Sequence, residues 1–243
     1  MESSRYWIAF FSVLGVAAAL FWLGRRGGLW VLRRMGARPF PPSALWNEVR
    51  GRAEAMAYSY RIPAPRVFFL PEYAPNAMIL RDGAGAPILV VTEGLVQTLN
   101  HEELDAVLSF CMAQWRQKGF RRAVLLSLFF YPVLEVLEKL PRVFWFLFTP
   151  LISAAIRLVY RRKRVNRSDD EVVRRGLGKS YLAALQKMTV MARKLPMRQW
   201  SLAFDHLFVV APLVAERFPF PILDAQPPVA ERIERILRFH SLA

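Results

Sequence analysis

The stretch "TEGLVQTLNHEELDAVLSFCMAQW", residues 92–115, decides how the rest of the chain is read. Asn100 has a side chain that can cap a helix start, and Glu103 stands three residues later in the capping-box position, so a helix is predicted from Asn100 onward. Positions four apart on a helix lie one above the other, so Phe110 and Gln114 share a face, with Cys111 beside the first of them. That face offers a ring, a thiol and a neutral amide.

Outward from this helix, "PRVFFLPE" and "PILVVTEG" are β-branched and aromatic runs bounded by Pro and Gly, and read as strands. Between them "YAPNAMILRDGAGA" supplies turn residues and a third short strand. Upstream, Pro39, Pro41 and Pro42 make a stiff entry, and Ser43 can cap a helix running to about Tyr60. Downstream, "GKSYLAALQKMTVMARKL" and "PPVAERIERILRF" are helical.

Two apolar regions hold much of a composition that is 54% hydrophobic. Residues 6–23, "YWIAFFSVLGVAAALFWL", carry no charge and are just long enough to span a bilayer. The arginines follow this run, at Arg25, Arg26, Arg33 and Arg34, which predicts an uncleaved anchor with the remainder of the chain on the cytoplasmic side of the inner membrane. Residues 123–160 form the second region, interrupted by Glu135, Glu138, Lys139 and Pro141, with "RQKGFRR" before it and "RRKR" after it. Two arms that span the bilayer account for this pattern, and so does a hairpin lying in the interface.

The net charge of +15 lies in clusters beside apolar runs, not interleaved with aromatic residues. That placement fits membrane flanks and contact with lipid headgroups, and argues against nucleic acid as a partner. One cysteine excludes an internal disulfide and any cysteine-cluster metal site.

Four stretches in register resemble one family, the HtpX-like membrane zinc metallopeptidases of H-E-x-x-H type. They are "APNAMILRDGAGAPILVVTEGLVQTLNHEELDAVLSF", "FTPLISAAIRLVYRRKRVNRSD", "FDHLFVVAPL" and "DAQPPVAERIERIL". The resemblance runs from about Trp46 to the C-terminus and implies an α+β, mainly helical metallopeptidase-like domain with a small sheet. Its two parts, residues 43–122 and 161–243, flank the hydrophobic hairpin, and one transmembrane helix precedes them.

The resemblance also locates the departures. The two histidines and the glutamate of the family helix fall on Phe110, Gln114 and Cys111, and the third ligand, a glutamate, falls on Val165. The family aspartate remains as Asp169, and the histidine of the C-terminal box is replaced by Gln226. Phenylalanine and valine have no donor atom, and a neutral amide is a poor zinc ligand. Without the metal, water keeps a pKa near its bulk value of about 15.7, so no nucleophile forms at neutral pH. The expectation is therefore no zinc and no catalytic residues.

A Cys111-based activity would need a base within about 3 Å, and His101, ten residues earlier on the same helix, lies about 15 Å along its axis. Cys111 and Phe110 read as packing, His206 as a buried or interfacial histidine, and Gln114 as a local hydrogen-bonding group with Asp169 as a candidate partner. The family resemblance suggests that the strand around Leu89, Val90, Val91 and Thr92 is an edge able to take an extended peptide by strand addition. The expected role is that of a pseudopeptidase in membrane protein quality control, bound to a membrane protein or an active peptidase paralogue. The alternatives are an active or altered metalloendopeptidase and a purely structural membrane protein.

Overall fold

The structure is a computed structural model that describes residues 26–82, 85–137, 162–198, 202–212 and 226–241, together with Gly15. The predicted anchor at residues 6–23 lies otherwise outside the described residues, as does the far part of the hairpin at residues 138–161. Among the described residues no helix is long and apolar enough to cross a membrane.

The chain runs α1 (Gly28–Arg34), β1 (Arg38–Pro39), α2 (Ala44–Ser59), β2 (Arg66–Leu70), β3 (Ala77–Arg81), β4 (Pro87–Thr92), α3 (Glu93–Thr98), α4 (His101–Arg116) and α5 (Phe120–Leu137). After the undescribed segment come α6 (Arg162–Arg174), α7 (Gly178–Lys194), a 3₁₀ turn (Leu202–Leu207) and α8 (Val229–Ser241). The outcome is the mainly helical α+β fold with a small sheet that the sequence predicts.

The sheet has the order β1-β2-β4-β3. β4 pairs with β2 in parallel, from Arg66↔Ile88 to Leu70↔Thr92, and with β3 antiparallel, from Ala77↔Val91 to Arg81↔Pro87. The reading of Leu89, Val90, Val91 and Thr92 as a peptide-accepting edge is therefore corrected: they lie on the interior strand. Their ladders are taken on both sides and all four are buried. The unbroken run "PILVVT" carries that signal, because a strand covered on both faces shows no polar alternation.

The true edges offer little to an incoming strand. Val209 N–H donates to Ala77 O at 2.9 Å, and Met78 pairs with Phe208, so the first half of the outer edge of β3 is closed by the chain itself. The other half lies under α1, where Gly28 packs so tightly that a Cβ would fall 2.7 Å from Arg81 O. β1 is two residues long and ends in proline, which has no N–H to donate.

Thr92 ties the end of β4 to its surroundings. Its hydroxyl accepts from Leu95 N–H to cap α3 (3.2 Å), accepts from Asn76 N–H (2.8 Å) and donates to Asn76 O (3.0 Å). The Asn76 amide reaches on to Val210, donating to its carbonyl at 2.6 Å and accepting from its N–H at 3.3 Å. α4 then packs against β3, α2, α6 and α7, with residues 106–114 buried along nearly its full circumference.

α5, the first arm of the predicted hairpin, docks on the domain through Phe120, Ala123, Val124, Ser127, Leu128 and Tyr131, a stripe at helical spacing. Its opposite face leaves Phe129, Val133 and Val136 exposed.

Gly94 opens α3 where that helix meets the chain at Tyr73, and a Cβ there would stand 1.9 Å from Tyr73 O. Gly94→Ala is expected to destabilise the fold by about 1–3 kcal/mol or more through overpacking. Gly51→Ala, on the open face of α2 with nothing within 4 Å, should stabilise by up to about 1 kcal/mol. Thermal melts of the two variants in detergent micelles check this pair; equal shifts would contradict the packing described.

Candidate functional site

α4 begins with the capping box expected of it. Asn100 Oδ1 accepts from Glu103 N–H at 2.9 Å, and Glu103 Oε2 accepts from Asn100 N–H at 3.0 Å. The same carboxylate receives Lys187 Nζ of α7 at 2.8 Å, which locks the register of the two helices. This places Phe110, Cys111 and Gln114 inside the bundle, where α6 contributes Val165 and Asp169; all five are buried.

The centre of this cluster is packed shut. The Phe110 ring stacks on Tyr181 of α7, with centroids 5.7 Å apart and planes at 22°. The Arg232 guanidinium of α8 stands 4.9 Å from the centroid of the same ring. Arg232 donates to both Asp169 oxygens, Nε to Oδ2 at 3.0 Å and Nη2 to Oδ1 at 2.9 Å. Its Nη1 donates to Val209 O at 2.5 Å, and Nη2 also reaches the Tyr181 hydroxyl at 2.5 Å. That hydroxyl donates to Asp169 Oδ1 at 2.8 Å. Burial holds the Tyr181 phenol well above its ordinary pKa, so it stays protonated and keeps donating.

Asp169 is thus held by Arg232 and Tyr181, where the sequence offered Gln114 as a partner. Gln226, in place of the box histidine, donates its amide to Phe208 O (2.6 Å) and Asp205 O (3.2 Å), fastening the start of α8 to the 3₁₀ turn.

These residues do not fit a zinc ion. The Phe110 and Val165 side chains present no nitrogen, oxygen or sulfur, and the Phe110 ring is taken up by stacking on Tyr181 and by the Arg232 guanidinium at its face. Among the described residues no three His, Cys, Asp or Glu side chains converge closely enough to hold a metal. The Cys111 thiol is pushed up to about 12 by burial, so it is neither thiolate ligand nor nucleophile at neutral pH.

His101 and His206 lie elsewhere. His101 is at the surface, with Nδ1 3.0 Å from Glu48 Oε1. His206 is buried with Nε2 3.0 Å from Ser127 Oγ, and that hydroxyl spends its proton on Ala123 O at 2.9 Å. The bond therefore assigns the proton to His206 Nε2.

Residues 44–239 match the family model described as Peptidase family M48. The chain belongs to peptidase family M48. It is 26% identical to the "Protease HtpX homolog" of Pyrococcus abyssi over 75% of this chain and 70% of that protein. It is 25% identical to the "Protease HtpX homolog" of Syntrophobacter fumaroxidans over 94% of this chain and 88% of that one. Among solved structures, the crystal structure of S. mikatae Ste24p superposes on 95% of this chain with a TM-score of 0.51 and 13% identity. The M48 chain spans 57% of that structure's length, a likeness of fold.

Sequence reasoning missed Tyr181 and the part played by Arg232 in this M48 chain. Nothing local marks Tyr181, one of several aromatic residues on amphipathic helices. Asp169 and the Arg232 of "DAQPPVAERIERIL" both lie in stretches that carry the family resemblance, and their opposite charges are the available signal that they pair.

Burial, with a smaller contribution from the Arg164 charge, lowers the His206 pKa from 6.5 to about 3. Between those values the unfolded chain binds a proton that the folded chain does not, so stability is full above pH 6.5 and falls on acidification through the window. One such proton changes the unfolding free energy by about 1.4 kcal/mol per pH unit. His206→Gln is expected to flatten the slope between pH 6.5 and 5 by about that amount, read by denaturant unfolding at each pH. An unchanged slope would contradict a buried neutral histidine.

Proposed function

We propose that this M48 chain is a pseudopeptidase: a membrane-anchored family member that hydrolyses no peptide bond and serves membrane protein quality control by holding a protein partner. The observation that carries the reading is the Phe110 ring, buried between Tyr181 and the Arg232 guanidinium where the resemblance calls for a metal-binding histidine. A core that offers a metal no ligands at Phe110 and Val165 cannot lower the pKa of a water through one, and metal-assisted hydrolysis at neutral pH needs such a water. The closed outer edge of β3 supports the same reading, since an extended substrate has no free ladder to join there. An altered metalloendopeptidase finds no support in Cys111, which is buried and protonated. A purely structural protein leaves the partner-binding role out and predicts no specific co-purification in mild detergent.

The partners that fit this reading are membrane lipid and a membrane protein or an active peptidase paralogue. Supporting the membrane is the uncharged run at residues 6–23, and the arginines that follow it support a folded domain on the cytoplasmic side of the inner membrane. The exposed Phe129, Val133 and Val136 of α5 add an apolar face beside the basic start of that helix.

The full chain purified in zinc-containing buffer is expected to hold well under one zinc per chain and to leave casein uncut where an intact M48 relative cleaves it. One tightly held zinc, or cleavage sensitive to chelators, would overturn the reading. The membrane part is checked separately: the full chain should stay in the pellet after carbonate extraction of cell membranes, and release into the supernatant would refute it.

A further inference from the structure

α4 ends at Arg116, and α6 crosses beside its last turns. Gln117 fixes that crossing, its amide donating to Arg164 O at 2.7 Å and to Ser168 Oγ at 2.6 Å. Between the two helices and the end of α2 lies a groove of about 400 Å³, floored by Tyr60 and Ala113. Arg116, Arg167 and Arg174 line it, the last two seven residues apart on one face of α6.

The groove also contains two carboxylates, Asp170 and Glu171, but both are engaged by arginines outside the lining. Arg235 Nη2 reaches the Asp170 oxygens at 2.6 and 2.8 Å, and Arg175 Nε reaches Glu171 Oε1 at 3.2 Å. Arg175 meanwhile covers the Tyr60 ring at 3.6 Å, closing that end. Among the described residues, Arg116, Arg167 and Arg174 have no carboxylate within pairing distance. Placement in a last helical turn accounts locally for Arg116 and Arg174, since carbonyl ends favour cations. Arg167 stands mid-helix and has no such reason to be there. Three arginines lining one concave site, with the local acids paired to other arginines, form a receptor for a compact anion with several acceptor oxygens.

We propose that this groove binds a phosphate group. Its position indicates the source. Gln117 leads directly into α5, Arg164 Nη1 holds Gly119 O at 3.1 Å, and α6 begins where the second apolar region ends. The groove therefore sits at the base of the apolar hairpin, at the level of headgroups if that hairpin enters the bilayer, and a phosphomonoester lipid is the expected ligand. The lipid source rests on the membrane reading above; the phosphate site itself does not.

The test titrates the full chain in detergent micelles with dihexanoyl phosphatidic acid and, separately, with inorganic phosphate, read by calorimetry. Saturable one-site binding of either is expected, weakened at least tenfold in Arg167→Gln/Arg174→Gln with an unchanged melting temperature. Binding of the lipid alone supports the headgroup as source, and equal binding of both supports free phosphate. Lys118→Gln/Lys163→Gln removes the same charge outside the groove and should leave affinity within twofold. Equal weakening by both double variants, no saturation by either ligand, or tighter binding of an acidic peptide would overturn the proposal. If the arginine pair unfolds when changed together, Arg167→Lys alone should still weaken binding, because an ammonium lacks the two-pronged geometry. Binding of phosphate by a chain that carbonate extracts would refute only the membrane reading.

Discussion

Asp169 and Arg232 form an ion pair almost wholly removed from water, and the arrangement of the second half of the domain depends on it. Burying two charges is unfavourable unless their remaining hydrogen-bonding capacity is met. Here it is met: Asp169 accepts from Arg232 and Tyr181, and Arg232 donates as well to Val209 O and the Tyr181 hydroxyl. One side-chain pair thereby fixes α6, α7, α8 and the segment that seals the sheet. Losing either partner alone would strand a buried charge at a penalty of about 3–5 kcal/mol.

Phe110 lies against this pair and ties three helices together by packing. The Phe110 ring joins α4 to α7 by stacking on Tyr181 and to α8 through the face it offers to Arg232. A cation beside an aromatic face is attractive, more so when water is excluded, so ring and ion pair reinforce one another. Phe110, Cys111, Gln114 and Val165 are core, and Asp169 beside them accepts from both Arg232 and Tyr181.

The sheet and the first arm of the hairpin follow the same economy of exposed groups. β3 has its outer edge shared between residues 208–209 and α1, β1 is too short and proline-blocked to invite pairing, and α5 hides one stripe while showing the other. Among the described residues, α5 offers an apolar surface of side chains and the groove between α4 and α6 a cationic one.

Much of this was legible in the residues because it depends on short-range chemistry. The Asn100–Glu103 capping box, the Ser43 cap and the apolar run of β4 act over a few residues and leave local marks. So does the donor chemistry of a site: the side chains of Phe110 and Val165 offer a metal nothing in any fold. Which strand would be interior could not be read the same way, because strand order is set by which segments return to pair, and β3 returns on the side of β4 that the family likeness suggested was open. The partnership of Asp169 with Arg232, 63 residues apart, and of both with Tyr181 exists only once α6, α7 and α8 are packed. The sequence by itself determined α2, α4, α7 and α8 and the strands β2, β3 and β4, since these are properties of neighbouring residues. Tertiary structure alone decided what packs around Phe110 and Asp169 and which strand is interior, since burial and pairing are properties of segments distant in the chain.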